Sequence, residues 1–117
     1  MILRQVTHLT KLLKKYSNGD VEISLTLLSI LMMVAGNKNV TYLSDIIQEL
    51  GITNSSISHH IYRLSTGERS RYNRDGKQLV KQGLELIEVT VDRDDYRKKV
   101  VTLTDRGREL IKQIEEI

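Results

Sequence analysis

The chain has 117 residues, a formal net charge of +3 and no cysteine, proline, tryptophan or phenylalanine. One domain of this size holds a core but little room for a deep catalytic pocket, and without cysteine it has no disulfide, thiolate metal site or cysteine nucleophile. No apolar run approaches the ~20 residues needed to cross a bilayer, and the first residues lack the pattern of a signal peptide, so a soluble cytoplasmic protein is expected, with no membrane role.

In chain order, Leu3, Val6, Leu9, Leu13 and Tyr16 form a helix-spaced apolar stripe, with Arg4, Lys11, Lys14 and Lys15 beside it. The spacing predicts an amphipathic helix over about 2–17 that packs on a neighbour or a second subunit. Ser17-Asn18-Gly19-Asp20 is a turn cluster. The segment VEISLTLLSILMMVAG, Val21 to Gly36, is apolar almost all round and reads as a central helix. Asn37 and Asn39 mark a loop, and Val40 can open a short strand.

From Thr41 to Leu64 two short helices are joined by a tight turn. Leu43, Ile46, Ile47 and Leu50 recur at helical spacing, Thr41 is a candidate N-cap, and Gly51 suits a left-handed residue past the helix end. The second helix restarts at Thr53 or Asn54 and buries Ile57, Ile61 and Leu64. Its other side offers Ser55, Ser56, Ser58, His59, Tyr62 and Arg63, with no carboxylate among them. Such an acid-free, donor-rich face behind a glycine turn suits the major groove of DNA, although a helical hairpin with a polar surface has the same pattern.

Beyond Leu64, Ser65–Gln78 holds Arg69, Arg71, Arg74 and Lys77 with several turn-forming residues and reads as a basic loop. Leu79 to Gly83 reads as one helical turn. Ile87, Val89 and Val91 alternate with Glu88, Thr90 and Asp92, and Lys98 to Thr104 is rich in β-branched residues. These are two antiparallel strands around a hairpin tip, Arg93 to Arg97. Thr104 caps a last helix, about 104–117, bearing Leu110, Ile111, Ile114 and Ile117. The expected fold is mainly α with a small β-hairpin (α+β): a winged helix-turn-helix in a single domain, 1–117.

Residues Asp95, Arg97, Val101, Leu103, Thr104 and Gly107 occur at the spacing of the wing signature of the MarR family of bacterial regulators, which this segment resembles. Leu43-Ser44-Asp45-Ile46, Leu50-Gly51-Ile52 and Ser55-Ser56-Ile57-Ser58 look like the family's helix-turn-helix, and Gly83-Leu84 like its step into the first wing strand. The similarity covers roughly residues 25–115. About a dozen extra residues separate the second helix from Gly83, and Lys98 stands where the family often has serine. The resemblance implies a homodimer built from the terminal helices, a palindromic double-stranded DNA operator, a repressor or similar regulator, the second helix in the major groove and the wing arginine in the minor groove.

The residues expected to meet DNA are therefore Thr53, Asn54, Ser55, Ser56, Ser58, His59, Tyr62 and Arg63 on the second helix. Arg69, Arg71 and Arg74 join them from the basic loop, and Arg93, Asp95, Arg97, Lys98 and Lys99 from the wing. Thr53 and Asn54 have a second reading as caps alone. Asp95 would hold Arg97 in place, and a guanidinium at a hairpin tip fits a narrow A·T-rich minor groove. Dimerisation falls to Leu3, Val6, Leu9, Leu13, Leu110, Ile111, Ile114 and Ile117. The adjacent His59 and His60 lack a third ligand at metal spacing, so no metal is expected, though their protonation would add positive charge at mildly acidic pH. No catalytic constellation and no cofactor site is recognisable, and the sequence names no small-molecule effector. The competing reading is a winged-helix module that binds a protein of the transcription or replication machinery.

Overall fold

The computed structural model describes residues 2–18, 21–37, 40–65, 67–72 and 78–117, with 67–72 and 78–82 described by their backbone alone. Its elements are α1 (Ile2–Tyr16), α2 (Leu25–Gly36), β1 (Thr41–Tyr42), α3 (Leu43–Leu50), α4 (Asn54–Leu64), β2 (Gly67–Tyr72), β3 (Gln78–Gln82), β4 (Ile87–Val91), β5 (Lys99–Leu103) and α5 (Asp105–Glu115).

Helix α2 is the hub. Leu27, Ile30, Leu31 and Val34 are all buried, and the core continues through Ile46 of α3, Ile57, Ile61 and Leu64 of α4, Leu86, Ile87 and Val101 around the sheet, and Leu110 and Ile111 of α5. A fully buried side chain of this size contributes about 1.5–3 kcal/mol relative to exposure. Contacts with α4, α5 and β5 cover α2 on several sides, while Leu25 and Met32 remain exposed.

This helix starts later than periodicity predicts. Ser24 is its N-cap, accepting from the Leu27 amide, and residues 21–23 run outside the helix. Their donors are taken by the preceding turn: the Val21 amide bonds Asn18 Oδ1 at 2.7 Å and the Ile23 amide bonds Ser17 Oγ at 3.0 Å. Val21 and Ile23 are both buried.

Strands β1, β5 and β4 form one antiparallel sheet in that order. Thr41, read from sequence as a helix cap, is instead a buried β1 residue paired with Val101. Tyr42 occupies the cap position of α3, and its side chain makes no capping bond. At the far end of the sheet, Thr104 caps α5 by accepting from the Gly107 amide, as its sequence predicts.

The segment read as a basic loop and a helical turn is a second hairpin. β2 pairs antiparallel with β3, Gly67 opposite Gln82 and Arg69 opposite Val80, with an irregularity between Arg69 and Tyr72. Neither strand has the alternating large apolar residues on which a strand reading relies. The excursion is closed at its root, where the amides of Leu84, Glu85 and Leu86 donate to the carbonyls of Arg63, Ser65 and Leu64 at 2.9, 2.9 and 2.7 Å. The chain thus returns to the end of α4 before it enters β4.

Candidate nucleic-acid interface

Gly51 ends α3 in the left-handed region at φ 64°, and its amide donates to Ile47 at 3.0 Å. Thr53 then starts α4, its hydroxyl accepting from the Ser56 amide at 3.2 Å. Ile57, Ile61 and Leu64 lock one side of α4 into the core. That leaves Asn54, Ser55, Ser56, Ser58, His59 and Tyr62 exposed, with Arg63 half-buried. Thr53 is the cap and Asn54 the first helical residue. Ser58 donates to the Asn54 carbonyl at 3.1 Å, which takes up its hydroxyl hydrogen and leaves the oxygen as an acceptor.

The wing is built by β4 and β5 in continuous register from Ile87 opposite Leu103 to Val91 opposite Lys99. Its tip is shaped by its own acids. Asp92 accepts from the Asp94 amide at 2.8 Å and donates its own amide to the Lys98 carbonyl at 2.9 Å. Asp95 Oδ1 accepts from the Arg97 amide at 3.0 Å and from Arg97 Nε at 3.3 Å. The Arg97 side chain is 92% exposed, so its forked end stays open beyond that contact.

Helix and wing meet over one cleft of about 470 Å³, bordered by Asn54 and Ser58 of α4, the start of α3, and Arg97, Lys98 and Lys99 of the wing. Ser58 and Tyr62 also face β4 and Lys99 across an adjoining groove. The expected contact residues Asn54, Ser58, Tyr62, Arg97, Lys98 and Lys99 are thereby brought together. Arg93 is exposed at the tip. Arg69 and Arg71 lie in β2, whose side chains are not described, and Arg74 and Lys77 lie outside the described residues.

Among the expected dimer residues, Leu3 and Val6 are exposed at 79% and 52%, as is Ile2 at 79%. Leu9, Leu13, Ile114 and Ile117 are half-buried. Leu110 and Ile111 are not surface residues. Both lie in the subunit's own core, because the face of α5 that carries them packs on α2.

His60 departs from its expected behaviour. Burial first, then the charges of Arg63 and His59, hold its imidazole below the ordinary histidine value, which works against the added charge expected of it. Its Nδ1 is buried without a hydrogen-bond partner among the described residues.

Sequence reasoning missed two residues: Tyr42, which holds the wing, and Arg106, which ties α5 to the end of α1 and to the segment before β4. Tyr42 donates its hydroxyl to Asp92 Oδ2 at 2.9 Å, and Lys98 Nζ lies over its ring, 5.1 Å from the centroid. Arg106 joins three parts of the chain. Its Nε donates to Leu84 O and its Nη2 to Tyr16 O, both at 3.0 Å, with the guanidinium 4.8 Å from the Tyr16 ring centre. The wing signature leaves the Arg106 position open, and both its partners are carbonyls distant in sequence, so no local pattern marks it.

This arrangement of helix, turn, helix and wing is a winged helix-turn-helix. No protein-family model matches the chain, and no curated protein matches its sequence. Solved structures do match. The chain superposes on an S. aureus MepR variant bound to an oligodeoxyribonucleotide with a TM-score of 0.64 and 19% identity, over 97% of this chain and 67% of that one. The heme sensor PefR from Streptococcus agalactiae gives 0.61 and 17%, over 97% and 65%. ZitR, a zinc-responsive MarR family member from Lactococcus lactis, gives 0.54 and 20%, over 81% and 53%. The chain has the winged-helix fold of MarR-family regulators.

Proposed function

We propose that this chain is a sequence-specific, double-stranded-DNA-binding regulator that acts as a homodimer, in the manner of a MarR-type repressor. The observation that carries the reading is the shared cleft, in which the polar edge of α4 and the basic side of the wing face a single space. Helix α4 enters the major groove, where Ser55, Ser56, Ser58, His59, Tyr62 and Arg63 reach base edges and phosphates. Arg97, braced by Asp95, enters the adjacent minor groove, while Arg93, Lys98 and Lys99 meet phosphates. Thr53 and Asn54 place backbone amides of the first turn of α4 toward a phosphate. The MepR structure with a bound oligodeoxyribonucleotide supports DNA as the partner of this fold.

The exposed face of α1 at Ile2, Leu3 and Val6 is the surface offered to a second copy. A two-fold dimer requires a palindromic operator with half-sites about 34–36 Å apart. In this reading Arg69, Arg71 and Arg74 add positive charge available to phosphates.

The test is binding of labelled duplexes, random and enriched by site selection, across a salt series. A steep log–log loss of affinity with salt, at about 0.9 per phosphate neutralised, supports the reading. Absence of binding to every duplex at low salt overturns it in favour of a protein-interaction module.

A further inference from the structure

The cleft depends on where the wing tip stands relative to α4, and one side chain outside the cleft holds that tip. Tyr42 belongs to β1, where it pairs with Val100, and it leads directly into α3 at Leu43. From that fixed base its hydroxyl reaches Asp92, the first residue past β4, at 2.9 Å. Its ring lies under Lys98, the last residue before β5, at 5.1 Å. Asp92 and Lys98 are themselves joined across the neck of the tip by a 2.9 Å backbone bond. Tyr42 therefore grips both sides of the neck, and the five residues above it, Arg93 to Arg97, follow. The carboxylate it holds has a second partner in the Asp94 amide, so the same contact shapes the tip from inside.

We infer that Tyr42 is the positioning residue of the wing: through Asp92 and Lys98 it fixes Arg97 over the α4 cleft, and it raises DNA affinity without touching DNA. Lys98 is correspondingly engaged with the Tyr42 ring as well as bordering the cleft. A two-stranded ribbon alone twists and bends freely about its base, and a side-chain tie to a helix start removes that freedom before binding. The inference rests on the proposed DNA-binding function for its affinity readout, but not for its readout on the free protein.

The experiment compares Tyr42→Phe, Arg97→Ala and the double variant in the full chain. Duplex affinity is measured by anisotropy, and amide hydrogen exchange is followed in the free protein at Asp92, Asp94 and Lys98. Tyr42→Phe is expected to weaken binding about fivefold, the size of one net hydrogen bond. It should also speed exchange at those three amides. In the Arg97→Ala background the same change should cost clearly less than fivefold, because the main positioned group is gone and only the phosphate contacts of Arg93 and Lys98 remain to be disturbed. Asp92→Ala, which removes the other end of the bond, should reproduce both effects if Tyr42→Phe fails to fold. Unchanged exchange in the neck amides, or a fivefold loss that persists without Arg97, overturns the inference. If the wild-type chain binds no duplex, the proposed function fails, and the exchange result alone decides the role of Tyr42 in holding the tip.

Discussion

Gly107 lies directly against the backbone of Leu86: a Cβ built on it would stand 2.1 Å from the Leu86 carbonyl oxygen and 3.3 Å from Leu103 Cδ2. The same carbonyl accepts from the Thr104 amide at 3.1 Å, so the first turn of α5 is seated on the strand-entry segment with no space between. The glycine of the wing signature is thus required by close approach of helix and backbone, not by an unusual dihedral.

Gly107→Ala should therefore destabilise the fold. The clash is with backbone rather than with a flexible side chain, so a cost of about 1–3 kcal/mol is expected from overpacking. Denaturant unfolding read by circular dichroism measures it, and an unchanged midpoint would show that α5 shifts without penalty.

Arg97→Ala should leave that midpoint unchanged, because the side chain is 92% exposed and its ion pair with Asp95 stands at the surface. Its effect should instead be on DNA, with affinity falling about tenfold and preference for A·T-rich flanks lost. Site selection with the variant tests this, and retention of the flanking preference would remove Arg97 from the minor groove.

Much of this was readable from the chain. Gly51 and Thr53 carry the local chemistry that a turn and a cap demand, and the structure uses both in that way. Strand β4 announced itself by alternation and β5 by its β-branched residues; Ile87 and Val101 are buried while Glu88 and Thr102 are exposed, although Val91 at the outer end of β4 is exposed as well. The β2–β3 hairpin did not, because what defines it is backbone pairing between strands with no apolar alternation. Tyr42, Asp92 and Arg106 were hidden for another reason: Tyr42 and Asp92 pair across 50 residues, Arg106 reaches partners 22 and 90 residues away, and no periodicity encodes contacts that distant.

Arg106→Ala should lower stability by about 1–2 kcal/mol, since two carbonyls, of Tyr16 and Leu84, lose their donor together. Thermal unfolding measures the loss. Arg106→Lys should recover only part of it, because an ammonium cannot bridge two carbonyls and stack on the Tyr16 ring in the same geometry.

Leu3→Asp combined with Val6→Asp should produce a monomer in sedimentation equilibrium, since both side chains are exposed and neither supports the subunit core. Duplex affinity for a palindromic site should fall with it, as each half-site is then bound separately. A dimer that survives both charges would place the subunit contact elsewhere.

The neck contact also predicts a pH window. The Asp94 amide first, and the Tyr42 hydroxyl next, hold the Asp92 carboxyl below its ordinary value of 3.8. The hydrogen bond to Asp92, with the charge of that carboxylate, raises Tyr42 above its ordinary 10.0. The carboxylate's contribution is present above the unfolded pKa and is lost as pH falls through the depressed folded value. The phenol's contribution is present below its unfolded pKa and is lost as pH rises through the raised folded value. The difference in Tm between wild type and Tyr42→Phe should be flat from roughly pH 5 to 9 and shrink on both sides. A difference that grows toward either extreme would contradict the bond.

The closed root of the β2–β3 excursion separates the architecture of this domain from its electrostatics. Residues 66–83 contain five basic and two acidic side chains, against 18 and 15 in the whole chain, so all of the net positive charge resides in a segment whose two ends already touch. A shortened chain that joins Ser65 to Leu84 through a tight turn would retain the three-stranded sheet and α4 while becoming electrically neutral overall. Lengthening, trimming or recharging residues 66–83 would therefore retune the net charge of the chain while leaving the residues that border the α4–wing cleft unchanged.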